Sequence, residues 1–250
     1  MSAIIPSVPV SATDAPQVGD CAGFVSAEVA GRIWRLERPA DLESLWAAMG
    51  EGAPSGGWEA DERLPYWVEL WPAAVLLARA VAARPELVAG RVCLDAGCGL
   101  GLPALVAASC GGRVLAFDYE PEALVYARRN AAANLGPAAP APLFAAMDWR
   151  KPAVAAGGAE VILGADILYE RRFFEPVAAF LDHALAPGGR ALIADPERAV
   201  SAGACERLRG LGWRVETPLT AKVAQSGQNM TVHLREITRG NDISRINKEG

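Results

Sequence analysis

From residue 91 onward, short apolar runs alternate with longer segments of helical spacing, and acidic residues stand where the runs end. The first run, 92–94, ends at Asp95, and Gly97, Gly99 and Gly101 follow at alternate positions before an alanine-rich segment. This order predicts a strand, a tight glycine turn and a helix. Glycine suits such a turn because it adopts positive φ and lets the backbone approach a ligand closely.

The same alternation continues to residue 237 and predicts an α/β fold. The remaining strands are predicted over 113–117, 143–147, 161–165, 191–194, 213–217 and 229–237. Helices are predicted over 72–84, 103–110, 121–135, 173–185 and 204–211, with a turn at 187–189. The last two strands are joined only by a loop, so we expect them to be antiparallel. The pattern therefore predicts a Rossmann-like, doubly wound, seven-stranded and mostly parallel sheet with an antiparallel C-terminal hairpin strand.

Three regions follow from the pattern. They are an N-terminal arm and extension (1–60), the α/β domain (61–238) and a frayed tail (239–250). Within the extension we expect a strand or hairpin over 28–37, a helix over 41–49 capped by Asp41, and a glycine-rich flexible loop over 51–58.

Five predicted parallel strands end in an aspartate: Asp95, Asp118, Asp148, Asp166 and Asp195. Parallel strands place their carboxyl ends along one edge of the sheet, where open α/β sheets bind ligands. A single aspartate in such a place is commonly a turn or cap residue. Five at one edge indicate a negative potential that favours a cationic ligand.

Two ligands are compatible with the glycine turn. The spacing Gly99-x-Gly101-x-x-Ala104 also satisfies the dinucleotide pattern, which would place a pyrophosphate at the helix N-terminus. Asp95 would oppose that charge, whereas the sulfonium and ammonium of S-adenosylmethionine suit an acidic strand end. We therefore predict an S-adenosylmethionine site, with S-adenosylhomocysteine as product, and keep an NAD oxidoreductase or a non-catalytic nucleotide-binding module as alternatives.

Strand order assigns the cofactor contacts. Asp118 would hydrogen-bond the ribose hydroxyls, and Asp148 would accept from the adenine amino group with Trp149 or Tyr119 against the ring. Asp95 would lie near the methionine end. The aromatic cluster over 64–72 precedes a helix that begins near the glycine turn. We expect the tryptophan at 67 to pack in the core. Trp71 abuts the helix start, so a cofactor contact and a core position suit it equally, and we take it as a candidate cofactor contact.

Composition narrows the class of protein. The chain has 250 residues, of which 52% are hydrophobic, and a net charge of −5. No basic stripe supports a nucleic-acid partner. The five cysteines and two histidines have no metal-ligand spacing, so we expect no metal and reduced thiols. Residues 1–16 lack the features of a secretory signal, and no run suits a membrane span. We expect a cytoplasmic monomer.

The motif set resembles the seven-β-strand protein-lysine methyltransferases, which belong to the class I S-adenosylmethionine-dependent enzymes. It comprises Trp71-Pro72, Asp95-x-Gly97-x-Gly99, Asp118, Asp148-Trp149 and Asp166-Ile167-Leu168-Tyr169. The resemblance covers roughly residues 60–237. With Pro65-Tyr66-Trp67 and Asp195-Pro196-x-Arg198, it is most similar to the electron-transfer-flavoprotein β-subunit lysine methyltransferases. The resemblance implies a protein substrate bearing the target lysine, with electron-transfer flavoprotein β subunit as the candidate.

Asp166 and Tyr169 are the candidate catalytic residues. Three positions apart, they can face one pocket, where the carboxylate would hold an ammonium group and the phenol would orient it. Alone, this pair is equally typical of a helix cap followed by a core aromatic residue. A small-molecule N- or O-methyltransferase, similar to nicotinamide N-methyltransferase, is the alternative enzyme class.

Overall fold

The computed structural model describes residues 19–21, 23–44, 65–137, 139–225 and 228–240. The predicted N-terminal arm, the glycine-rich loop over 51–58, most of the predicted helix over 41–49 and the last ten residues lie outside them. At residues 42–44 the chain is helical, and the Asp41 carboxylate accepts the Ser44 N–H at 2.6 Å.

A small antiparallel sheet precedes the α/β domain. Its strands are β1 (Gly19–Cys21), β2 (Phe24–Val29) and β3 (Arg32–Glu37). Alternate residues of β2 and β3 are buried, because one face of the hairpin packs against the main core. Of the predicted strand or hairpin over 28–37, the structure has the hairpin, and it begins at Phe24.

Seven strands form the main sheet: β4 (Val92–Ala96), β5 (Arg113–Asp118), β6 (Leu143–Ala146), β7 (Ala159–Ala165), β8 (Leu185–Pro196), β9 (Trp213–Gln225) and β10 (Gln228–Arg239). Their order is β6-β5-β4-β7-β8-β10-β9. The pairs from β6 to β8 are parallel, and β10 pairs antiparallel with both β8 and β9. The predicted fold class is confirmed. The chain reverses its direction of travel across the sheet between β4 and β7, which is where such sheets open a ligand crevice.

Helices cover both faces of this sheet: α1 (Pro72–Ala83), α2 (Leu102–Ser109), α3 (Pro121–Asn134), α4 (Phe174–Ala184) and α5 (Ala199–Gly210). Buried residues of α1, α2 and α3 form one apolar cluster with one face of the sheet. Those of α4 and α5 form a second cluster with the other face. Proline at the first or second position begins α1, α2 and α3, because a helix leaves those N–H groups unpaired.

Three predicted boundaries were wrong. Strand β8 begins at Leu185, before the predicted turn, because Leu185 pairs with Ala159 and the register then shifts so that Arg190 pairs with Val161. Residues 187–189 are therefore an irregularity within a strand. Helix α5 begins at Ala199, and β9 continues to Gln225 because its whole length pairs with β10.

Candidate active site

The glycine turn between β4 and α2 requires glycine for steric reasons. Gly97, Gly99 and Gly101 have φ of +66°, +50° and +94°, a region that L side chains disfavour. A Cβ on Gly97 would lie 3.2 Å from Ile167 Cγ2, and one on Gly99 would lie 3.3 Å from the Trp67 carbonyl oxygen. The turn therefore packs closely against the segments before α1 and after β7.

A cavity opens at the carboxyl ends of the parallel strands, and the turn forms part of its wall. Ten of the eleven predicted site residues line this cavity: Trp71, Gly97, Gly99, Gly101, Asp118, Tyr119, Asp148, Trp149, Asp166 and Tyr169. These residues come from five separate segments of the chain. The fold brings them together because all five segments end at or near the same edge of the sheet.

Asp95 is the predicted site residue that does not line the cavity. Its carboxylate is buried, and Oδ2 accepts the Ala104 N–H at 3.0 Å, which links β4 to the first turn of α2. Oδ1 has no hydrogen-bond partner among the described residues. Burial, followed by the charge of Asp118, raises the pKa of Asp95 to about 7. Asp95 therefore lies behind the glycine turn and outside the cavity lining, and its contact with a cofactor stays a prediction.

Asp118, the last residue of β5, lines the cavity and binds two backbone N–H groups. Its Oδ2 accepts the Gly99 N–H at 2.8 Å, and its Oδ1 accepts the Glu120 N–H at 3.0 Å. Burial raises the pKa of Asp118, and the two amides oppose that shift. A carboxylate has about four acceptor positions, so both oxygens retain capacity for hydroxyl donors.

Asp148 and Trp149 form the wall beyond β6. Asp148 accepts from the Arg150 backbone N–H at 2.8 Å and from Arg150 Nε at 2.7 Å. The Trp149 ring meets the Phe173 ring edge to face, with centroids 5.6 Å apart. An adenine ring bound here could stack on the Trp149 ring and donate an amino N–H to the Asp148 carboxylate.

Asp166 lies directly after β7 and also lines the cavity. It has φ of +54°, which is uncommon outside glycine but tolerated by aspartate. Its N–H donates to the Ala194 carbonyl at 2.8 Å, and its carboxylate accepts two hydrogen bonds from the Arg198 guanidinium. Burial raises the pKa of Asp166, and the charge of Arg198 opposes that shift.

Aromatic rings surround Tyr169 in the cavity wall. Its centroid lies 5.9 Å from that of Tyr66 and 5.0 Å from that of Phe173. Trp71 donates through Nε1 to the Tyr66 carbonyl at 2.9 Å. Burial raises the pKa of the Tyr169 phenol, so this hydroxyl stays protonated at neutral pH. Asp166 and Tyr169 both line this cavity, and their catalytic roles stay a prediction.

Sequence reasoning missed several wall residues. Tyr66, Glu69, Arg150, Arg172 and Phe173 also line the cavity. Tyr66 stood in the aromatic cluster noted before α1, whereas Phe173 carried only the spacing of a core helix. Arg150 and Arg172 had no distinguishing pattern, and each pairs with a neighbouring acid two residues away. Trp67, expected in the core, packs there against the Tyr126 ring and also reaches the cavity.

Two further findings concern ions and membranes. The part of the chain that the structure describes contains no group of three or more metal-ligating side chains. None of its described helices has the length and apolarity needed to cross a membrane.

Solved structures define the class of fold. The protein aligns with TYW2 of P. horikoshii, solved in complex with MeSAdo, at a TM-score of 0.54 and 16% identity, over 88% of this chain and 73% of that one. It aligns with magnesium protoporphyrin IX methyltransferase of Synechocystis, solved with bound SAM, at 0.52 and 14%, over 78% and 90%. The chain therefore has the Rossmann-like methyltransferase fold.

Curated sequences give a narrower likeness, although no family model matches. The chain is 34% identical to the electron transfer flavoprotein beta subunit lysine methyltransferase of Danio rerio over 137 residues, 54% of this chain and 51% of that protein. It is 29% identical to the histone-arginine methyltransferase METTL23 of Mus musculus over 119 residues, 46% of each. The chain spans about half the length of the curated relatives it matches.

Proposed function

We propose that this protein is an S-adenosylmethionine-dependent methyltransferase that modifies a protein lysine side chain, with electron-transfer flavoprotein β subunit as the first substrate to test. One observation carries the proposal. A single cavity is lined by the glycine turn, by Asp118 and by the Asp166–Tyr169 pair. The lysine methyltransferase relative of Danio rerio supports the choice of acceptor.

The residues of the cavity fit this cofactor. Asp118 keeps acceptor positions for the two ribose hydroxyls, and Asp148 and Trp149 suit the adenine. Arg150 and Arg172 are each paired with an acid, so they offer little charge for a pyrophosphate. The acidic strand ends favour a sulfonium instead.

Asp166 and Tyr169 would prepare the acceptor. A free lysine amine, with a pKa of about 10.4, is neutral in only about one part in 10³ at pH 7. Asp166 would accept an N–H of the incoming ammonium, the rings of Tyr66 and Tyr169 would enclose its apolar stem, and the proton would leave to water. S-adenosylmethionine supplies a methyl group whose bond to sulfur breaks, with its electrons remaining on sulfur, as the amine lone pair forms the new N–C bond. The contribution of the protein is largely proximity and orientation.

The experiment uses methyl-labelled S-adenosylmethionine with purified electron-transfer flavoprotein and, separately, with a whole-cell lysate. We expect label in protein methyllysine, loss of transfer in Asp166→Ala, and retained binding of S-adenosylhomocysteine. Asp182→Ala, which removes an exposed carboxylate paired with Arg239, is the control. Label confined to small metabolites would favour the small-molecule alternative, and stabilisation by NAD but not by S-adenosylhomocysteine would refute the cofactor.

The histone-arginine relatives make protein arginine the second candidate acceptor. Amino-acid analysis of the labelled protein distinguishes the two acceptors, because methylarginine and methyllysine are recovered as different amino acids. The hydrogen bonds of the Asp166 carboxylate also bear on whether lysine or arginine is the acceptor.

A further inference from the structure

Asp166 and Arg198 form a two-point ion pair. Arg198 Nη1 lies 2.7 Å from Asp166 Oδ1, and Nη2 lies 3.2 Å from Oδ2. The side chain of Asp166 is 7% exposed and that of Arg198 is 32% exposed. Parallel hydrogen bonds between a guanidinium and a carboxylate fix direction as well as distance. The Asp166 carboxylate therefore has one orientation in the folded protein.

Only one of the two partners lines the cavity. Asp166 does so, whereas Arg198 is not among the residues that line it. Arg198 directly precedes α5, and its guanidinium donates to both carboxylate oxygens. An acceptor that enters through the cavity meets a carboxylate that is already paired on one edge.

This pairing distinguishes two kinds of acceptor. A carboxylate offers about four lone-pair positions, of which the Arg198 fork uses two. The remaining positions can accept N–H groups from a primary ammonium, which is a compact donor. A guanidinium acceptor is recognised by the same planar two-oxygen edge that Arg198 already occupies.

Resting on the proposed function, we propose that Arg198 is a positioning and selectivity residue of the acceptor site. It holds Asp166 in the orientation that receives an amine, and by occupying the two-oxygen edge it disfavours a guanidinium acceptor. The site would thus prefer lysine to arginine.

The first test needs no methyl transfer. In Arg198→Ala the two oxygens of the Asp166 carboxylate have lost the Arg198 guanidinium. Millimolar guanidinium should therefore bind to these oxygens and raise Tm by a few degrees. Methylammonium at the same concentration should raise Tm less, because it donates to Asp166 without the two coplanar hydrogen bonds of a guanidinium. Guanidinium should leave Tm unchanged in the wild type and in Arg207→Ala, which breaks the exposed pair of Arg207 on α5 with Glu175 on α4. Should Arg198→Ala not fold, Arg198→Met, which keeps the apolar stem, takes its place.

The second test measures transfer to electron-transfer flavoprotein. We expect kcat/KM to fall about 100-fold in Arg198→Ala, the scale of a small misplacement of a reacting group, while S-adenosylhomocysteine binds as in the wild type. Guanidinium should restore part of the activity, and Arg198→Lys should restore little because lysine presents a point charge.

Full activity of Arg198→Ala, or equal stabilisation of wild type and variant by guanidinium, would overturn the inference. Absence of transfer by the wild type to any protein would instead refute the proposed function, and the guanidinium measurement would still decide whether Arg198 occupies that edge.

Discussion

Asp118→Asn is the sharpest perturbation of the proposed cofactor site. Each oxygen of the Asp118 carboxylate accepts a backbone N–H, from Gly99 at 2.8 Å and from Glu120 at 3.0 Å. An asparagine has one acceptor oxygen, so its NH₂ group must face one of those two donors. The variant consequently loosens the glycine turn or the start of α3, although its volume is almost unchanged.

The expected magnitude follows from the same geometry. The variant also loses a charged acceptor for one ribose hydroxyl, and a hydrogen bond to a charged group contributes about 1.5–3 kcal/mol. The dissociation constant of S-adenosylhomocysteine should therefore rise about 10- to 150-fold. Isothermal titration calorimetry measures this change directly.

Asp182→Asn is the matched control, because the Asp182 side chain is 63% exposed and pairs on the surface with Arg239. Its dissociation constant should stay within about twofold of the wild type. If folded Asp118→Asn bound S-adenosylhomocysteine within about threefold of the wild type, the assignment of Asp118 to the ribose would be refuted.

Three further predictions test the turn, the N-terminal sheet and the buried carboxyls. Gly97→Ala and Gly90→Ala should each lose about 1–2 kcal/mol of stability, because both sites have positive φ. Only Gly97→Ala should also lose S-adenosylhomocysteine binding in calorimetry. Its Cβ would lie 3.2 Å from Ile167 Cγ2 in the cavity wall, whereas a Cβ at position 90 meets nothing within 4 Å. Asn130→Ala should lower the free energy of unfolding in urea by about 2–4 kcal/mol, because three hydrogen bonds disappear, two to the Glu37 backbone and one to the Leu100 carbonyl; a loss below about 1 kcal/mol would contradict this. Burial, followed by the charge of Asp166, raises the pKa of Asp195 to about 7 from an ordinary 3.8, so the folded state binds that proton more tightly and stability falls as pH rises between these values. Asp195→Asn should therefore show a shallower fall of Tm across that range, and an unchanged slope would count against it.

The N-terminal sheet shows why one part of the fold was beyond sequence reasoning. The hairpin of β2 and β3 was predictable from alternation, but its docking was not. Asn130 and Asn134, one helical turn apart on α3, bond the backbone of Glu37 and Arg35 on the outer edge of β3. Asparagine on a helix has no periodic signal that indicates a strand partner.

The sequence by itself determined the fold class, because strands and helices differ in apolar period and each parallel strand closes with an acid at the ligand edge. It also indicated ten of the residues that line the cavity, since a glycine turn and strand-end acids have fixed places in such a sheet. Only the tertiary structure decided how those acids are used. Asp95 and Asp195 are buried away from the cavity wall, whereas Asp118, Asp148 and Asp166 line it. The pairing of Asp166 with Arg198, 32 residues later, depends on how α5 packs against α4 and β9, and local sequence does not encode that packing.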